Sequence, residues 1–492
     1  MRHRSAAPSR VRLSRTLLVV VAFTATALAL PASAAAHALI GRQDLPVPAW
    51  LFAWAASVVL IVSFVGLSVL WRSPRFEPEA WRPVGGLVSR LVTSRPTQVV
   101  AGAVGALLLG VTVWTGLAGT AEPGENFSVT FVYVTVWLGV VVASGLFGDV
   151  FRAVNPWGAI ARAMAAIFRL VAGQSRPAPL YCPERLGRWP AAIGIFAFVW
   201  LELAYAVGFL SISLSPHTVA VAALVYSAYT FLAMTLFGID RWLDRGEAFS
   251  VYHAMFARLS VFAVHEGRLG RRRVLSGTAS WAELPGSIAL VLITIGATTF
   301  DGAQEGLLAS PLADTRIWLT DLGLSEVTGA RVSSSLYMLL TLLVVAGIYW
   351  AGVAGMRQVD RSFRLGQLGS LFIHSFIPIA LAYLVAHYFS FFVFLEQAQF
   401  TFLLSDPLGN GSDYFGTAGG SIDYGLFSAN AIWYLQVGSL IVGHITALAI
   451  GHDRALKLYP DVATATRSQY WMLALMVSFT CLGLFLLSQA NA

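Results

Sequence analysis

Apolar and polar residues alternate along this chain in long blocks. Ten stretches after residue 48 are apolar enough to cross a bilayer, which takes about 20 residues of helix. They lie near residues 49–71, 98–118, 127–147, 190–211, 218–238, 286–300, 334–355, 371–394, 431–450 and 470–488. The pattern therefore predicts an all-α, polytopic membrane bundle of about ten transmembrane helices.

Basic residues are unevenly distributed between the connections of this bundle. Of the 32 lysines and arginines, 24 follow the odd-numbered stretches, three lie on the opposite side and five lie near the N-terminus. Basic connections remain on the cytoplasmic side of a membrane. We therefore expect the 24 to face the cytoplasm, and we call the two sides of the bundle the basic side and the acidic side.

The first 36 residues have the order of a secretory signal. Five arginines precede the apolar run from Thr16 to Leu30, and small residues up to Ala36 follow it. An apolar run of this length is too short to span a bilayer. We expect residues 1–36 to be a signal peptide and residues 37–492 a single transmembrane domain, the alternative being an uncleaved first helix. Cleavage after Ala36 would place His37 at the new N-terminus.

Composition excludes several classes of protein. The chain is 57% hydrophobic and only 12% charged, too few charges to cover soluble domains of this length. Five of its seven excess positive charges belong to the predicted signal, so the net charge of +7 does not indicate a nucleic-acid partner. Every basic residue except Lys457 is arginine. This bias suggests a GC-rich bacterial genome and a protein of the bacterial plasma membrane.

Two connections on the basic side have the apolar spacing of a surface helix. They cover residues 157–171 and 249–259, and each follows a Leu-Phe-Gly tripeptide, at Leu146 and Leu236. We expect both to be interfacial amphipathic helices that anchor the bundle. The repeated order of span, surface helix and span is typical of duplicated membrane folds.

Ionisable residues inside the spans are the candidates for chemistry, because charge is costly in a bilayer. Helical rise places Glu202, Asp301 and His387 in the half of the membrane nearer the acidic side. His374 and His444 lie in the other half, where they could meet. For this second pair, structural hydrogen bonds are the favoured interpretation.

The first group predicts a proton site or a metal site beneath His37. His37, His387 and Asp301 could hold a divalent ion, with Glu202 as a general base, and such an ion would activate water for hydrolysis. None of these residues has the sequence spacing of a known metal motif. The alternative is that each histidine only donates a hydrogen bond to a carbonyl of a neighbouring helix.

Several short stretches resemble one family of proteins. They are Ala36–Pro46, Asn155–Gly158, Thr298–Gly302, Ile379–Phe389 and Gly443–Leu456. Together they are similar to the polytopic bacterial membrane proteins called fenitrothion hydrolases. The resemblance runs over nearly the whole chain and implies hydrolysis of an aryl phosphorothioate triester with release of a nitrophenol. It implies no catalytic residues.

Three functions follow from these observations. The first is a membrane-embedded phosphotriester hydrolase, assisted by a metal ion or not, with Glu202, Asp301 and His387 as catalytic residues. The second is a proton-coupled transporter that uses Glu202 and His387 as a relay. The third is a copper-handling protein, suggested by His37 at a new N-terminus. The expected partners are the lipid bilayer and a small apolar substrate, without nucleic acid; a homo- or hetero-oligomer with another membrane protein stays open.

Overall fold

A computed structural model of the chain describes residues 49–76, 81–173, 179–207, 214–281 and 283–490. For residues 49–50 and 489–490 it describes the backbone alone. The predicted signal peptide and His37 lie outside these ranges. In chain order the helices are α1 (Ala49–Leu70), α2 (Gly86–Thr93), α3 (Arg95–Ala118), α4 (Phe127–Phe147), α5 (Val150–Val154), α6 (Pro156–Ala172), α7 (Trp189–Trp200), α8 (Pro216–Phe237), α9 (Ile239–Arg245), α10 (Ala248–Ala257), α11 (Ser287–Gln304), α12 (Ala309–Asp321), α13 (Glu326–Val359), α14 (Leu365–Phe372), α15 (Ile377–Phe400), α16 (Phe402–Ser405), α17 (Ala429–Leu458) and α18 (Val462–Ala490).

Ten of the helical segments in the described ranges are long and apolar enough to span a membrane. They centre on α1, α3, α4, α7, α8, α11, α13, α15, α17 and α18, one for each predicted stretch. The predicted all-α polytopic bundle is therefore confirmed. Two of the spans contain π-helical turns, at Phe131–Gly139 within α4 and at Leu201–Tyr205, where α7 ends.

A small antiparallel sheet was not predicted from the sequence. It consists of β1 (Arg82–Pro83), β2 (Phe262–His265) and β3 (Arg268–Arg271), in the order β1-β3-β2. The strands come from two connections on the basic side, and they are too short for apolar alternation to reveal them. The sheet joins the connection after the first span to the one after the fifth.

The helices pack in two groups that meet at α7, α11 and α15. In one group α3 packs on α6 and α8; in the other α18 packs on α1, α13 and α17. Between them α11 contacts α7, α13 and α15. The spans that contain α11 and α15 are the most buried of the ten. In their most apolar stretches, 72% and 83% of the residues are buried inside the protein. Residues carried by α11 and α15 therefore lie at the centre of the bundle.

Close packing of α3 depends most strongly on glycine at position 105. A Cβ atom at Gly105 would lie 1.7 Å from the backbone oxygen of Val154, where the chain turns from α5 into α6. A Cβ atom at Gly110, in the same helix, would meet nothing within 4 Å. Of these two glycines, Gly105 requires the absence of a side chain and Gly110 does not.

We expect Gly105→Ala to destabilise the bundle, because α3 must move away from the α5–α6 turn. Overpacking of this kind costs about 1–3 kcal/mol. The measurement is the thermal unfolding midpoint of purified protein in detergent. Gly110→Ala is the matched control and should leave the midpoint unchanged or raise it, since alanine favours helix. Equal midpoints for both variants would contradict this packing.

The two predicted surface helices differ in the structure. Helix α6 covers the first and exposes apolar residues at its end, with Leu170 86% and Val171 82% exposed. Helix α10 covers the second and is buried, with no exposed surface on Tyr252 or Phe256. The prediction of an interfacial helix was therefore wrong for α10. Its apolar residues fit a buried helix equally well, because the whole circumference of α10 packs against α4, α5, α7 and α15.

The two connections nevertheless share local structure. Gly148 and Gly238 end spans three and five with positive φ angles of 97° and 90°. Each is followed by a short helix and then by a side chain that caps the next helix, Asn155 for α6 and Glu247 for α10. The two caps contact each other, since Asn155 Nδ2 donates to Glu247 Oε2 at 2.8 Å. This arrangement supports the predicted repeat.

The long connection on the acidic side between α16 and α17 is fixed to the bundle. The backbone N–H of Thr120 donates to the oxygen of Leu408 at 2.7 Å, and that of Phe127 donates to Pro407 at 3.2 Å. Within the connection, Asp413 Oδ1 accepts from the Ser405 hydroxyl and from the backbone N–H of Ala418. The segment is therefore an ordered cap rather than a flexible loop.

This cap should loosen in acid. The Ser405 hydroxyl, and secondly the Ala418 N–H, lower the pKa of the Asp413 carboxyl from its usual value of about 3.9. A carboxyl with a lowered pKa stabilises the fold above its usual pKa and stops doing so as the pH falls through its folded-state value. Hydrogen exchange of residues 405–418 should therefore speed up, relative to intrinsic rates, below about pH 4. Asp413→Asn should show that faster exchange already at neutral pH, and unchanged exchange in both experiments would contradict the prediction.

Candidate functional site

Asp301 and His387 meet between the two central helices. Asp301 lies one turn before the end of α11, and His387 lies on α15. Their side chains are 17% and 22% exposed, and His387 Nε2 is 2.9 Å from Asp301 Oδ2. The structure thus brings together two of the three predicted catalytic residues, which are 86 positions apart in the chain.

Two further donors complete the environment of the Asp301 carboxylate. The Tyr388 hydroxyl donates to Oδ2 at 2.6 Å, and Gln304 Nε2 donates to Oδ1 at 2.7 Å. Three hydrogen bonds hold the carboxylate in one orientation. The sequence did not predict a role for Tyr388 or Gln304. Tyr388 directly follows His387, and Gln304 lies three residues, or one helical turn, after Asp301.

The hydrogen bond assigns the tautomer of His387. An ionised carboxylate only accepts hydrogen bonds, so Nε2 must carry the proton that faces Asp301. In the neutral ring Nδ1 then keeps a lone pair, and it makes no hydrogen bond within the described ranges. The edge of the ring with Nδ1 lies over Gly302, where a Cβ atom would be 3.6 Å away. Asp301 and His387 therefore form a dyad with one basic nitrogen.

Glu202 lies in the π-helical turn Leu201–Tyr205, which directly follows α7. Its side chain is half-buried and makes no hydrogen bond to another described residue. Its carboxyl group lies within electrostatic range of Asp301, Tyr388 and Tyr133. π-Helical turns are frequent at functional sites, where they redirect a side chain. Glu202 is thus a second carboxyl group within electrostatic range of the dyad.

Hydrogen bonds to α13 fix the helix around Glu202. Trp200 Nε1 donates to Ser335 Oγ at 2.9 Å, and Arg331 Nε donates to the backbone oxygen of Tyr205 at 2.9 Å. The Arg331 guanidinium also lies 3.8 Å from the centre of the Tyr205 ring. These contacts on both sides of Glu202 hold the π-helical end of α7 against the bundle.

The predicted metal ligands are only partly described. Among the described residues, no group of three or more His, Cys, Asp and Glu side chains is placed to hold a metal ion. Asp301 and His387 are two ligands at most, and three donors already occupy the carboxylate. His37, the third predicted ligand, lies outside the described ranges. The described geometry fits an orienting carboxylate better than a metal ligand.

The other two predicted histidines are buried separately. His444 Nδ1 lies 2.8 Å from the oxygen of Leu440 in its own helix, α17. His374 interacts with the backbone of Leu371 and with the charge of Arg454. Arg454 is ten residues beyond His444 on α17, which corresponds to about 15 Å along the helix. The two histidines thus have different neighbours, and contacts within single helices agree with a structural role for His444.

Glu396 is an acidic residue of the spans that the sequence prediction missed. The Thr135 hydroxyl of α4 donates to Glu396 Oε2 at 3.2 Å. The predicted eighth span ended at residue 394, whereas α15 continues to Phe400. Apolar residues continue beyond Glu396 at Ala398, Phe400 and Phe402, and this continuation was the signal that could have extended the span.

Glu247, the cap of α10, is fully buried and accepts four hydrogen bonds. Tyr226 OH and the N–H of Phe249 donate to Oε1 at 2.6 and 3.0 Å. Asn155 Nδ2 and the N–H of Ser250 donate to Oε2, both at 2.8 Å. All four donors to this carboxylate are groups of the surrounding helices. Glu247 therefore stabilises helix packing and is a structural residue.

A large apolar cavity in the described ranges is not lined by the dyad. It has a volume of about 770 Å³ and lies among α3, α4, α6, α7 and α8. Tyr133 and Leu201 belong to its wall. Tyr133 is in electrostatic range of Glu202, and Leu201 is its neighbour in the sequence. Asp301 and His387 are not part of the wall, so the cavity and the dyad are separate features with Glu202 near both.

Within the described ranges, fold and site together define an all-α membrane protein with ten membrane-spanning helices and a carboxylate–histidine dyad among them. No protein-family model, curated protein or solved structure matches the chain. Its function must therefore be argued from the dyad and its surroundings.

Proposed function

We propose that the chain is a membrane-embedded hydrolase in which His387 acts as a general base. The observation that carries the proposal is the hydrogen bond between Asp301 and His387 Nε2, which leaves Nδ1 with a lone pair. The resemblance to fenitrothion hydrolases suggests the substrate, a neutral aryl phosphorothioate triester. A substrate of this kind is apolar enough to enter from the bilayer.

The reaction needs one base and one leaving group. Nδ1 of His387 takes a proton from water, and the resulting hydroxide attacks phosphorus. The bond from phosphorus to the aryl oxygen breaks, and the electron pair leaves with the nitrophenolate. The ionised Asp301 stabilises the imidazolium that forms, in the manner of carboxylate–histidine pairs in hydrolases. The proton then passes from Nδ1 to solvent, which restores the neutral ring.

The surroundings of the dyad suit this chemistry. Asp301 and His387 are partly exposed and lie on two apolar helices, so a substrate-sized molecule need not displace other side chains to contact them. Tyr388 and Gln304 hold Asp301 in place, so that the orientation of the imidazole is set before substrate arrives. In such a position a general base contributes about 10²- to 10⁴-fold to the rate.

A proton-coupled transporter is the second candidate. The charge interaction between Glu202 and Asp301 favours it, because two neighbouring carboxyl groups and a histidine inside a membrane could pass a proton. In either case the protein spans the membrane many times. We propose the bacterial plasma membrane as its location, from the arginine-rich composition and the predicted signal.

The test is nitrophenol release by membranes that contain the full chain, with matched membranes that lack it as the control. A hydrolase releases nitrophenol from an aryl phosphorothioate triester, and collapse of the proton gradient does not change the rate. A transporter releases none, but accumulates a solute in a way that stops when the gradient collapses. Absence of release in both membranes would overturn the proposal.

A further inference from the structure

Helix α2 and the small sheet form one unit on the basic side. The backbone N–H of Leu269 in β3 donates to Ser89 Oγ of α2 at 3.0 Å, and the N–H of Val84 donates to the oxygen of Leu269 at 3.0 Å. Two connections that are distant in the sequence therefore pack together. We call residues 81–95 and 262–273 the surface unit.

The surface unit lies where a span begins. Helix α2 ends at Thr93, and α3, the second span, begins at Arg95. The extended backbone of Ser94, with φ −66° and ψ 146°, separates the two helices. Val99 and Val100, one turn into the span, are 70% and 63% exposed and face lipid. Helix α2 is therefore held at the level where the membrane begins.

One face of α2 is apolar and exposed. Leu87, Val88, Leu91 and Val92 are 73%, 51%, 58% and 48% exposed. Their spacing of one and four residues places them on the same side of the helix. Ser89, on the other side, is buried against β3. An exposed apolar face at a membrane boundary is typical of helices that lie in the interface of the bilayer.

Arginine dominates the charge of the surface unit. The unit contains seven arginines and one glutamate, and Glu77 and Glu79 directly precede it in the sequence, so the arginines remain in excess by four. Five of the arginines are exposed and form no ion pair within the described ranges: Arg82, Arg90, Arg95, Arg268 and Arg271. Clusters of about four to eight basic residues beside a span attract anionic lipid.

Two of these arginines are opposite each other in the sheet. Arg82 of β1 and Arg271 of β3 are direct partners in the antiparallel register. The side chains of direct partners lie on one face, with Cβ atoms about 5 Å apart, and like charges there repel. A phosphate between the two guanidinium groups removes this repulsion and accepts hydrogen bonds from both. The pair therefore suits one phosphate group.

We propose that the surface unit binds anionic phospholipid of the leaflet on the basic side. The apolar face of α2 contacts the upper part of the acyl chains, and Arg82 and Arg271 hold one phosphate. The other exposed arginines add positive charge nearby. The apolar face favours lipid over a free anion, which would use the arginines alone. This site is separate from the dyad and does not depend on the proposed hydrolysis.

Native mass spectrometry of the purified full chain tests the selectivity for lipid. The probe is phosphatidylglycerol, added to the protein in detergent, and the reference is phosphatidylcholine with the same acyl chains. The wild type should bind phosphatidylglycerol more tightly than phosphatidylcholine. Arg82→Gln combined with Arg271→Gln should weaken phosphatidylglycerol binding by about tenfold or more, because hydrogen bonds to a charged group are lost. Binding of phosphatidylcholine should not change.

Arg361 and Arg364 provide the matched control. Both are exposed in the connection between α13 and α14 on the basic side, and neither forms an ion pair within the described residues. Replacing both with glutamine removes the same charge and should leave phosphatidylglycerol binding nearly unchanged. Unfolding midpoints equal to the wild type show that a variant folds. If the first pair does not fold, Arg90→Gln combined with Arg95→Gln takes its place.

Fluorescence quenching tests the contact between α2 and the acyl chains. A bimane label on Leu91→Cys, in vesicles that contain phosphatidylglycerol, should be quenched by brominated acyl chains and little by iodide in the water. The label reacts at the new position because Cys182 and Cys481 are buried. Leu343→Cys, at a site 69% exposed in α13, gives the quenching of a residue in full contact with lipid.

Three results would overturn the proposal. The first is phosphatidylglycerol binding that the Arg82 and Arg271 substitutions weaken no more than the Arg361 and Arg364 substitutions do. The second is displacement of phosphatidylglycerol by an equal concentration of inorganic phosphate, because the arginines would then hold a free anion. The third is quenching of the label on Leu91→Cys by iodide alone, since the apolar face would then be open to a protein partner instead of lipid.

Discussion

We expect Asp301→Asn to lower nitrophenol release by about 10²- to 10⁴-fold, the range of a general base. The asparagine amide removes the charge that stabilises the imidazolium. It can also donate to Nε2, which would move the ring proton to Nδ1 and occupy the lone pair that accepts the proton from water. The measurement is the rate of nitrophenol release per amount of folded protein in membranes.

Two comparisons separate this effect from a general disturbance. Tyr388→Phe removes one of three donors to the same carboxylate and should lower the rate by about tenfold, the effect of a single hydrogen bond to a charged group. Asp321→Asn changes an exposed carboxyl on the acidic side and should leave the rate unchanged. If Asp301→Asn retains full activity, the mechanism is wrong.

The second large effect is on stability. Glu247→Leu should lower the free energy of unfolding by about 4 kcal/mol, because four buried donors lose their acceptor. These donors are Tyr226, Asn155 and the backbone N–H groups of Phe249 and Ser250. The measurement is the thermal unfolding midpoint in detergent, together with the yield of folded protein.

The matched control is a nearby carboxyl on the surface. Asp244 forms an ion pair with Arg152 at 2.7 Å, and both side chains are about half exposed. Exposed pairs of this kind contribute about 0–1 kcal/mol. Asp244→Leu should therefore change the midpoint far less than Glu247→Leu, and equal losses would show that Glu247 is not a special acceptor.

The spans were predictable because a single physical requirement fixes them. A membrane helix needs about 20 apolar residues, and such a block can be recognised in the sequence without any knowledge of tertiary contacts. The same argument placed Glu202, Asp301 and His387 in one half of the membrane. Helical rise determines depth along the membrane normal, and Asp301 and His387 do meet, with Glu202 in electrostatic range of Asp301.

Other features depend on contacts that no local pattern contains. Helix α10 has a surface-like spacing at Tyr252 and Phe256, but its other faces are apolar as well, and packing decides that it is buried. The tautomer of His387 depends on a partner 86 positions away. Periodicity gives the height and the face of a residue on its own helix, but not which helix that face meets.

One measurement tests the central claim most directly. Nitrophenol release is compared between membranes with the wild-type chain and membranes with equal amounts of folded His387→Gln. Glutamine can still donate an amide N–H toward Asp301 but has no basic nitrogen, and His265→Gln, in the exposed strand β2, is the control. Our account predicts release by the wild type and the control, and almost none by His387→Gln. Equal release by all three would contradict it.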